Sequence, residues 1–149
     1  MAGSVNKVII VGNGPLRDDL VALSQTLLGG DVDFEYLQPS DVIRLYNTSD
    51  LYVHCAAVEV ECMTAIEAMA CGLPLLIADA PLSAAKQFAI SGRHSFSSIS
   101  DLTRQIEFWY ENPELLRQAK TQYLEFAGQY RIEASFQKLK AAYMSLATA

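Results

Sequence analysis

The sequence predicts an α/β fold: a parallel sheet of about five strands, helices on both faces, and a helical C-terminus. Three observations lead there. Residues 49–78, SDLYVHCAAVEVECMTAIEAMACGLPLLIA, read as strand, loop, helix, strand, which is one βαβ unit. The runs VIIV at 8–11 and LLIA at 75–78 are apolar without polar alternation, as in strands covered on both faces. Glycine and proline punctuate the chain where strand gives way to helix or helix ends, at Gly12, Gly14 and Pro15, at Gly29 and Gly30, and at Gly72 and Pro74.

Taken in order, Val8 to Val11 is the first strand and GNGP the turn into a helix. Pro15 suits that helix's first turn, and Leu16, Leu20, Leu23 and Leu27 mark its buried stripe. Gly29 and Gly30 end it, and residues 32–37 form the second strand. Ser40 caps a short helix carrying Val42, Ile43, Leu45 and Tyr46, broken by residues 47–49. The third strand is 51–53. A loop holding Glu59 and Glu61 leads to a helix that starts near Met63 and stops at Gly72, with alanines at 65, 68 and 70 for close packing on a sheet. The fourth strand is 75–78, followed by a loop at 79–82, a helix at 83–90 and a short edge strand at 95–98. Helices at 101–111, 113 to about 130 and 133–146 complete the chain. The last carries Ile132, Phe136, Leu139, Tyr143 and Leu146 in a stripe for which core packing is expected. Right-handed crossovers among strands near Ile9, Phe34, Val53, Leu76 and Phe96 favour the order 2-1-3-4-5, with 8–11 pairing directly with 51–54.

Composition describes one globular domain over residues 1–149, 51% hydrophobic and 19% charged. Eleven basic residues against seventeen acidic ones give a net charge of -6, which argues against a nucleic-acid partner and a polybasic membrane patch. No apolar run approaches a membrane span, and no basic-then-apolar signal opens the chain. Cys55, Cys62 and Cys71 read as small thiols in a reducing compartment, and three cysteines at these spacings argue against a metal site. The expected location is cytoplasmic.

Function concentrates at the third strand's end. In open parallel sheets ligands sit where strands end and helices begin, and a helix N-terminus offers unpaired N–H groups with a partial positive charge. Glu67 falls in the second turn of the helix that starts near Met63, and helical side chains lean back towards the N-terminus, in the direction of Glu59. Spacing alone does not separate a two-carboxylate site from two solvated acids, one on a loop and one on a helix face. His54, at the end of the strand, fits a sugar-facing or general-base role, or a packed core histidine. Lys86 reads as a solvated helix lysine.

Glu59 and Glu67, separated by seven residues and followed by AMACGLP, resemble the Glu-x7-Glu signature of retaining glycosyltransferases of the GT-B architecture, the glycosyltransferases group 1, in their nucleotide-sugar half. The wider segment YVHCAAVEVECMTAIEAMACGLPLLIADAPLSAAKQFAI is similar to the branch that glucosylates membrane lipids, diacylglycerol and sterols, and to capsular polysaccharide biosynthesis proteins. The GNGP turn resembles the family's GxGP loop. What the resemblance implies is a Rossmann-like three-layer αβα domain, metal-independent, that binds a UDP-sugar. Glu67 would hold the ribose hydroxyls and Glu59, as the catalytic carboxylate, the hydroxyls of the transferred sugar. Gly12 and Gly14 would lie against the donor, and Val60, Glu61, Cys62, Met63 and Thr64 would present backbone N–H groups to it. Tyr36 stands where the family's second strand has a glycine, and an aromatic there can stack on a uracil ring or pack at the strand end. Lys86 would be a weaker candidate for contact with donor or partner domain. The family's basic G-R-x-x-x-x-K-type segment and its N-terminal acceptor domain are not within these residues. The expectation is therefore the donor-binding half of a larger enzyme, peripheral at the cytoplasmic membrane face, inactive by itself, that moves a hexose, glucose, to a lipid or polysaccharide. The alternatives are a non-catalytic flavodoxin-like nucleotide-binding domain and part of a GT-B sugar-nucleotide epimerase.

Overall fold

The computed structural model describes residues 7–29 and 31–147. Gly30, expected at the end of the first helix, lies outside them. The described elements are β1 (Val8–Val11), α1 (Arg17–Leu28), β2 (Val32–Glu35), α2 (Pro39–Thr48), β3 (Tyr52–His54), β4 (Val58–Glu59), α3 (Met63–Ala70), β5 (Leu75–Ala78), β6 (Leu82–Ser83), β7 (Ser95–Phe96), α4 (Ile99–Glu111), α5 (Pro113–Ala127) and α6 (Ile132–Ala147). Short 3-10 turns at Ala84–Phe88, Gly92–His94 and Gly128–Tyr130 connect some of them. The chain divides into two compact units, one up to Leu45 and one from Tyr46. Among the described residues no helix is long and apolar enough to cross a membrane.

In the first unit β1 and β2 pair in parallel, Val8 opposite Val32 and Val11 opposite Glu35. Gly12 ends the strand with φ +150°, a region that favours glycine, and its N–H donates to the Glu35 carbonyl at 2.9 Å. The expected turn follows, with the Arg17 N–H donating to the Gly14 carbonyl, and Gly29 closes α1 in the left-handed conformation. The leucine stripe of α1 is a correction. Leu16, Leu20, Leu23 and Leu27 are all exposed and only Ser24 is buried, because a unit with two strands offers the helix little apolar surface to cover. Ser40 is corrected too. Pro39 already lies in α2, where its missing N–H costs nothing, and the Gln38 carbonyl accepts the first bonds from Asp41 and Val42.

In the second unit β3, β5 and β7 form a parallel sheet in that order. Seven strands in three separate sheets are described where one sheet of about five in the order 2-1-3-4-5 was expected, and among the described residues no ladder joins 8–11 to 51–54. The case for direct pairing rested on a buried gap that would strand backbone groups. Val8, Ile10 and Val11 of the first unit and Val53 of the second are instead exposed, so the burial that argument assumed is absent. A second parallel ladder, Val58 opposite Leu82 and Glu59 opposite Ser83, is additional to expectation, and residues 84–88 form a 3-10 turn where an α-helix over 83–90 was expected.

The core lies between β5 and the helices. Leu75, Leu76 and Ile77 are fully buried with Ala65, Ala68 and Met69 of α3 and Tyr123 of α5. Gly72, at φ +72°, ends α3 where an added Cβ would meet the Leu124 side chain at 2.9 Å, so packing as well as conformation requires glycine. The apolar stripe of α6, by contrast, is exposed at Ile132, Phe136, Leu139, Tyr143 and Leu146, which corrects the expected core packing. Arg131, extended at φ -62° and ψ 147°, separates α6 from the preceding turn, and nothing among the described residues covers that face.

His94 sits in this core, its ring 4.8 Å from Trp109 and 5.1 Å from Tyr123. Nδ1 lies 3.0 Å from the Ser91 hydroxyl, while Nε2 is buried without a hydrogen-bond partner. Burial pushes the imidazole down to about 4. An unfolded histidine takes its proton near pH 6.5, so acid favours the unfolded chain as soon as pH drops below about 6.5 and until it approaches 4. Unfolding in urea is expected to show about 2 kcal/mol less stability at about pH 5 than at about pH 7.5, and His94→Gln is expected to remove most of that difference. A wild-type midpoint that does not move over this window contradicts the assignment.

Candidate functional site

The chain leaves the sheet at His54, runs through residues 55–57, and re-forms a two-residue strand at Val58 and Glu59. A tight turn then places Cys62 in the left-handed conformation, φ 54° and ψ 57°, directly before α3. Among the described residues it is the one non-glycine with positive φ. Such a conformation costs about 1–2 kcal/mol for a side-chain-bearing residue, so the surroundings must hold it.

Glu59 supplies that hold. Its Oε1 accepts from the backbone N–H groups of Val60 at 2.9 Å, Cys62 at 3.2 Å and Glu61 at 3.4 Å. The Cys62 N–H foremost, with those of Val60 and Glu61 and the nearby His54, holds the Glu59 carboxyl below its ordinary value, with partial burial opposing. Val60, Glu61 and Cys62 were expected to present N–H groups to the donor; in this arrangement Glu59 itself takes them. The α3 N-terminus lacks a side-chain cap, and the Cys62 carbonyl receives the first helical bonds from Ala65 and Ile66.

Glu59, Val60, Glu61, Cys62, Met63 and Thr64 together line one open cavity of about 490 Å³. Six of the expected residues are thus brought together. Glu67 is exposed in the second turn of α3, outside that lining. Gly12, Gly14 and Tyr36 lie in the first unit, where both glycines serve the turn after β1 and Tyr36 is 75% exposed. Lys86 is exposed on the 3-10 turn.

Two residues outside the expected binding set touch residues that line the cavity. The Tyr52 and His54 rings lie nearly parallel, 15° apart. The Tyr52 hydroxyl is 2.8 Å from Thr64 Oγ1 and 3.4 Å from His54 Nδ1, while His54 Nε2 is 3.8 Å from Glu59 Oε2. Burial foremost raises the Tyr52 phenol above its ordinary value, so the hydroxyl stays a neutral donor or acceptor. The i, i+2 spacing of Tyr52 and His54 on a strand puts both on one face, a signal the sequence carries. The arrangement offers a fixed carboxylate, a helix N-terminus and a hydroxyl–imidazole chain, suited to a polyhydroxylated, anionic ligand.

The fold has close relatives among solved structures. The catalytic domain of cholesterol-alpha-glucosyltransferase from Helicobacter pylori superposes with a TM-score of 0.77 at 31% identity, covering 83% of this chain and 79% of that one. An Anabaena protein, HepE, in complex with UDP gives 0.75 at 22% identity, covering 93% of this chain and 40% of that one. Sucrose-phosphate synthase from Thermosynechococcus elongatus gives 0.77 at 20% identity, covering 95% and 39%. The latter two bear on the fold alone, and the chain spans well under half of each. No curated protein sequence matches the chain. The sequence pattern of the glycosyl transferases group 1 matches residues 2–125, and the chain belongs to that family.

Proposed function

We propose that the chain is the donor-binding half of a retaining glycosyltransferase that moves a hexose, glucose, from a UDP-sugar to a membrane lipid or polysaccharide, without a metal cofactor and at the cytoplasmic face of a membrane. The observation that carries this reading is the Glu59 carboxylate fixed by three backbone N–H groups at the start of α3. It provides an acceptor for sugar hydroxyls beside a helix end that favours a diphosphate. Support for glucose and a lipid comes from the 31% identical cholesterol-alpha-glucosyltransferase, and for UDP from the Anabaena complex.

In this mechanism Glu67 holds the ribose hydroxyls and Glu59 the hydroxyls of the transferred sugar. The N-terminus of α3 stabilises charge that builds on the departing diphosphate. The amides that Glu59 now engages become available to the donor as the carboxylate turns to the sugar. Acceptor binding, and with it transfer, requires a second domain in this reading.

A helix end contributes only about 0.3–1 kcal/mol at an exposed site, so the chain by itself is expected to bind UDP-glucose weakly, on the order of millimolar. Titration of labelled chain is expected to shift the amides of Gly14, Glu59 and Glu67. Unmoved Glu59 and Glu67 amides, or stabilisation by a flavin instead, overturn the reading. A lipid-glucosylation assay on this chain alone is expected to yield no product, since nothing orients an acceptor against the donor.

A further inference from the structure

We propose that His54, Glu59 and Cys62 bind a borderline-soft divalent cation, zinc above all, and that the bound ion blocks the sugar end of the donor site. The ligand atoms of the three residues lie within 4.8 Å of one another. Cys62 Sγ is 3.6 Å from both ring nitrogens of His54, and Nε2 is 3.8 Å from Glu59 Oε2. Tetrahedral zinc, with Zn–S of about 2.3 Å and Zn–N or Zn–O of about 2.0–2.2 Å, sets its ligand atoms about 3.4–3.6 Å apart. The two pairs that involve His54 are at or near that spacing. The thiol–carboxylate pair lies within 4.8 Å, and any excess over that spacing must be closed by side-chain rotation.

The surroundings hold each ligand from behind, as metal sites require. Glu59 Oε1 is occupied by three amides, which leaves Oε2 on the His54 side. The other ring nitrogen of His54, Nδ1, lies 3.4 Å from the Tyr52 hydroxyl, itself bonded to Thr64. Cys62 is 3% exposed and the His54 side chain 11%, whereas the Glu59 side chain is 30% exposed. Three protein ligands therefore leave a fourth position towards the cavity that Glu59 and Cys62 line. Thiolate and imidazole select zinc over magnesium or calcium, which prefer oxygen ligands. On binding, the Cys62 S–H bond breaks, the sulfur–zinc bond forms and the proton passes to solvent. With Oε2 on the ion, Glu59 can no longer accept sugar hydroxyls. That consequence rests on the donor-site reading of Glu59; the metal site does not.

Cobalt(II) titration of the full chain tests the site. The expected result is a thiolate-to-cobalt charge-transfer band that saturates at one equivalent and is displaced by zinc. The band is expected to persist in Cys55→Ser and Cys71→Ser, to vanish in Cys62→Ser, and to require about tenfold more metal or beyond in His54→Gln. Absence of the band in the wild type, its survival in Cys62→Ser or its loss in Cys71→Ser overturns the site; should Cys62→Ser not fold by circular dichroism, an unchanged midpoint in His54→Gln overturns it. UDP-glucose titration with and without one equivalent of zinc tests the block, and the Glu59 shift is expected to disappear with the ion. Undiminished donor binding to the zinc-loaded chain overturns the block. Should the metal-free chain bind no UDP-glucose, the donor reading falls and the block with it, while the cobalt spectrum still decides the metal site.

Discussion

Replacing Glu59 by alanine in the complete transferase is expected to lower kcat roughly 10- to 150-fold with little change in donor KM, equivalent to about 1.5–3 kcal/mol for one charged hydrogen bond. Contacts to the transferred sugar tighten as the glycosidic bond breaks, so their loss appears in turnover. Glu67→Ala is expected to do the reverse, raising KM with kcat nearly kept, because the ribose does not change charge during transfer. The structure adds a control. Glu59 also closes the turn that carries Cys62 in its left-handed conformation, so the alanine variant loosens that turn as well as removing a sugar contact. Glu59→Gln keeps an oxygen for the three N–H groups but loses the charge. A low kcat in Glu59→Gln with an unchanged melting temperature assigns the effect to the sugar, whereas full activity in it removes the carboxylate from the chemistry.

Much of the second unit was legible because its signals are local. The Met63 start and the Gly72 end of α3 follow from a turn, an alanine-rich apolar spacing and a glycine, and all coincide in the structure. Strand β5 is equally plain, since four apolar residues after a proline have one reading in an α/β chain. What escaped reading is what a partner decides. The stripes of α1 and α6 state that one face of each helix is apolar, but not what covers it, and both are exposed. The β4–β6 ladder is two residues long and carries no periodicity to detect.

The candidate site divides in the same way. Glu59 and the residues through Thr64 were found from the carboxylate spacing together with the resemblance, and they line one cavity. That Glu59 bonds the amides beside it depends on one backbone angle, the positive φ of Cys62. Nothing announces that angle, because cysteine is not a residue that favours it. Tyr52 and His54 were within reach of the period-two rule. The hydroxyl chain from His54 through Tyr52 to Thr64 was not, because it joins residues 12 positions apart across a strand and a helix.

Tyr123→Ala is expected to destabilise the second unit by about 3–5 kcal/mol, the range for truncating a buried aromatic side chain. Tyr123 is 0% exposed and is the largest fully buried side chain among the described residues. Its hydroxyl donates to the Phe88 carbonyl at 3.1 Å, which ties α5 to the 3-10 turn after β6, and its ring meets the His94 edge. Tyr123→Phe separates the two contributions, since it keeps the ring but leaves a carbonyl of nearly buried Phe88 without that donor, an expected loss of about 1–3 kcal/mol. Urea titration followed by Trp109 fluorescence and by far-ultraviolet circular dichroism gives both values, with coincident curves licensing a two-state reading. An alanine variant within about 1 kcal/mol of wild type contradicts the packing described here. The neighbouring residue Leu124 lies where a Cβ on Gly72 would fall, so α5 is packed against the end of α3 beside the position Tyr123 anchors.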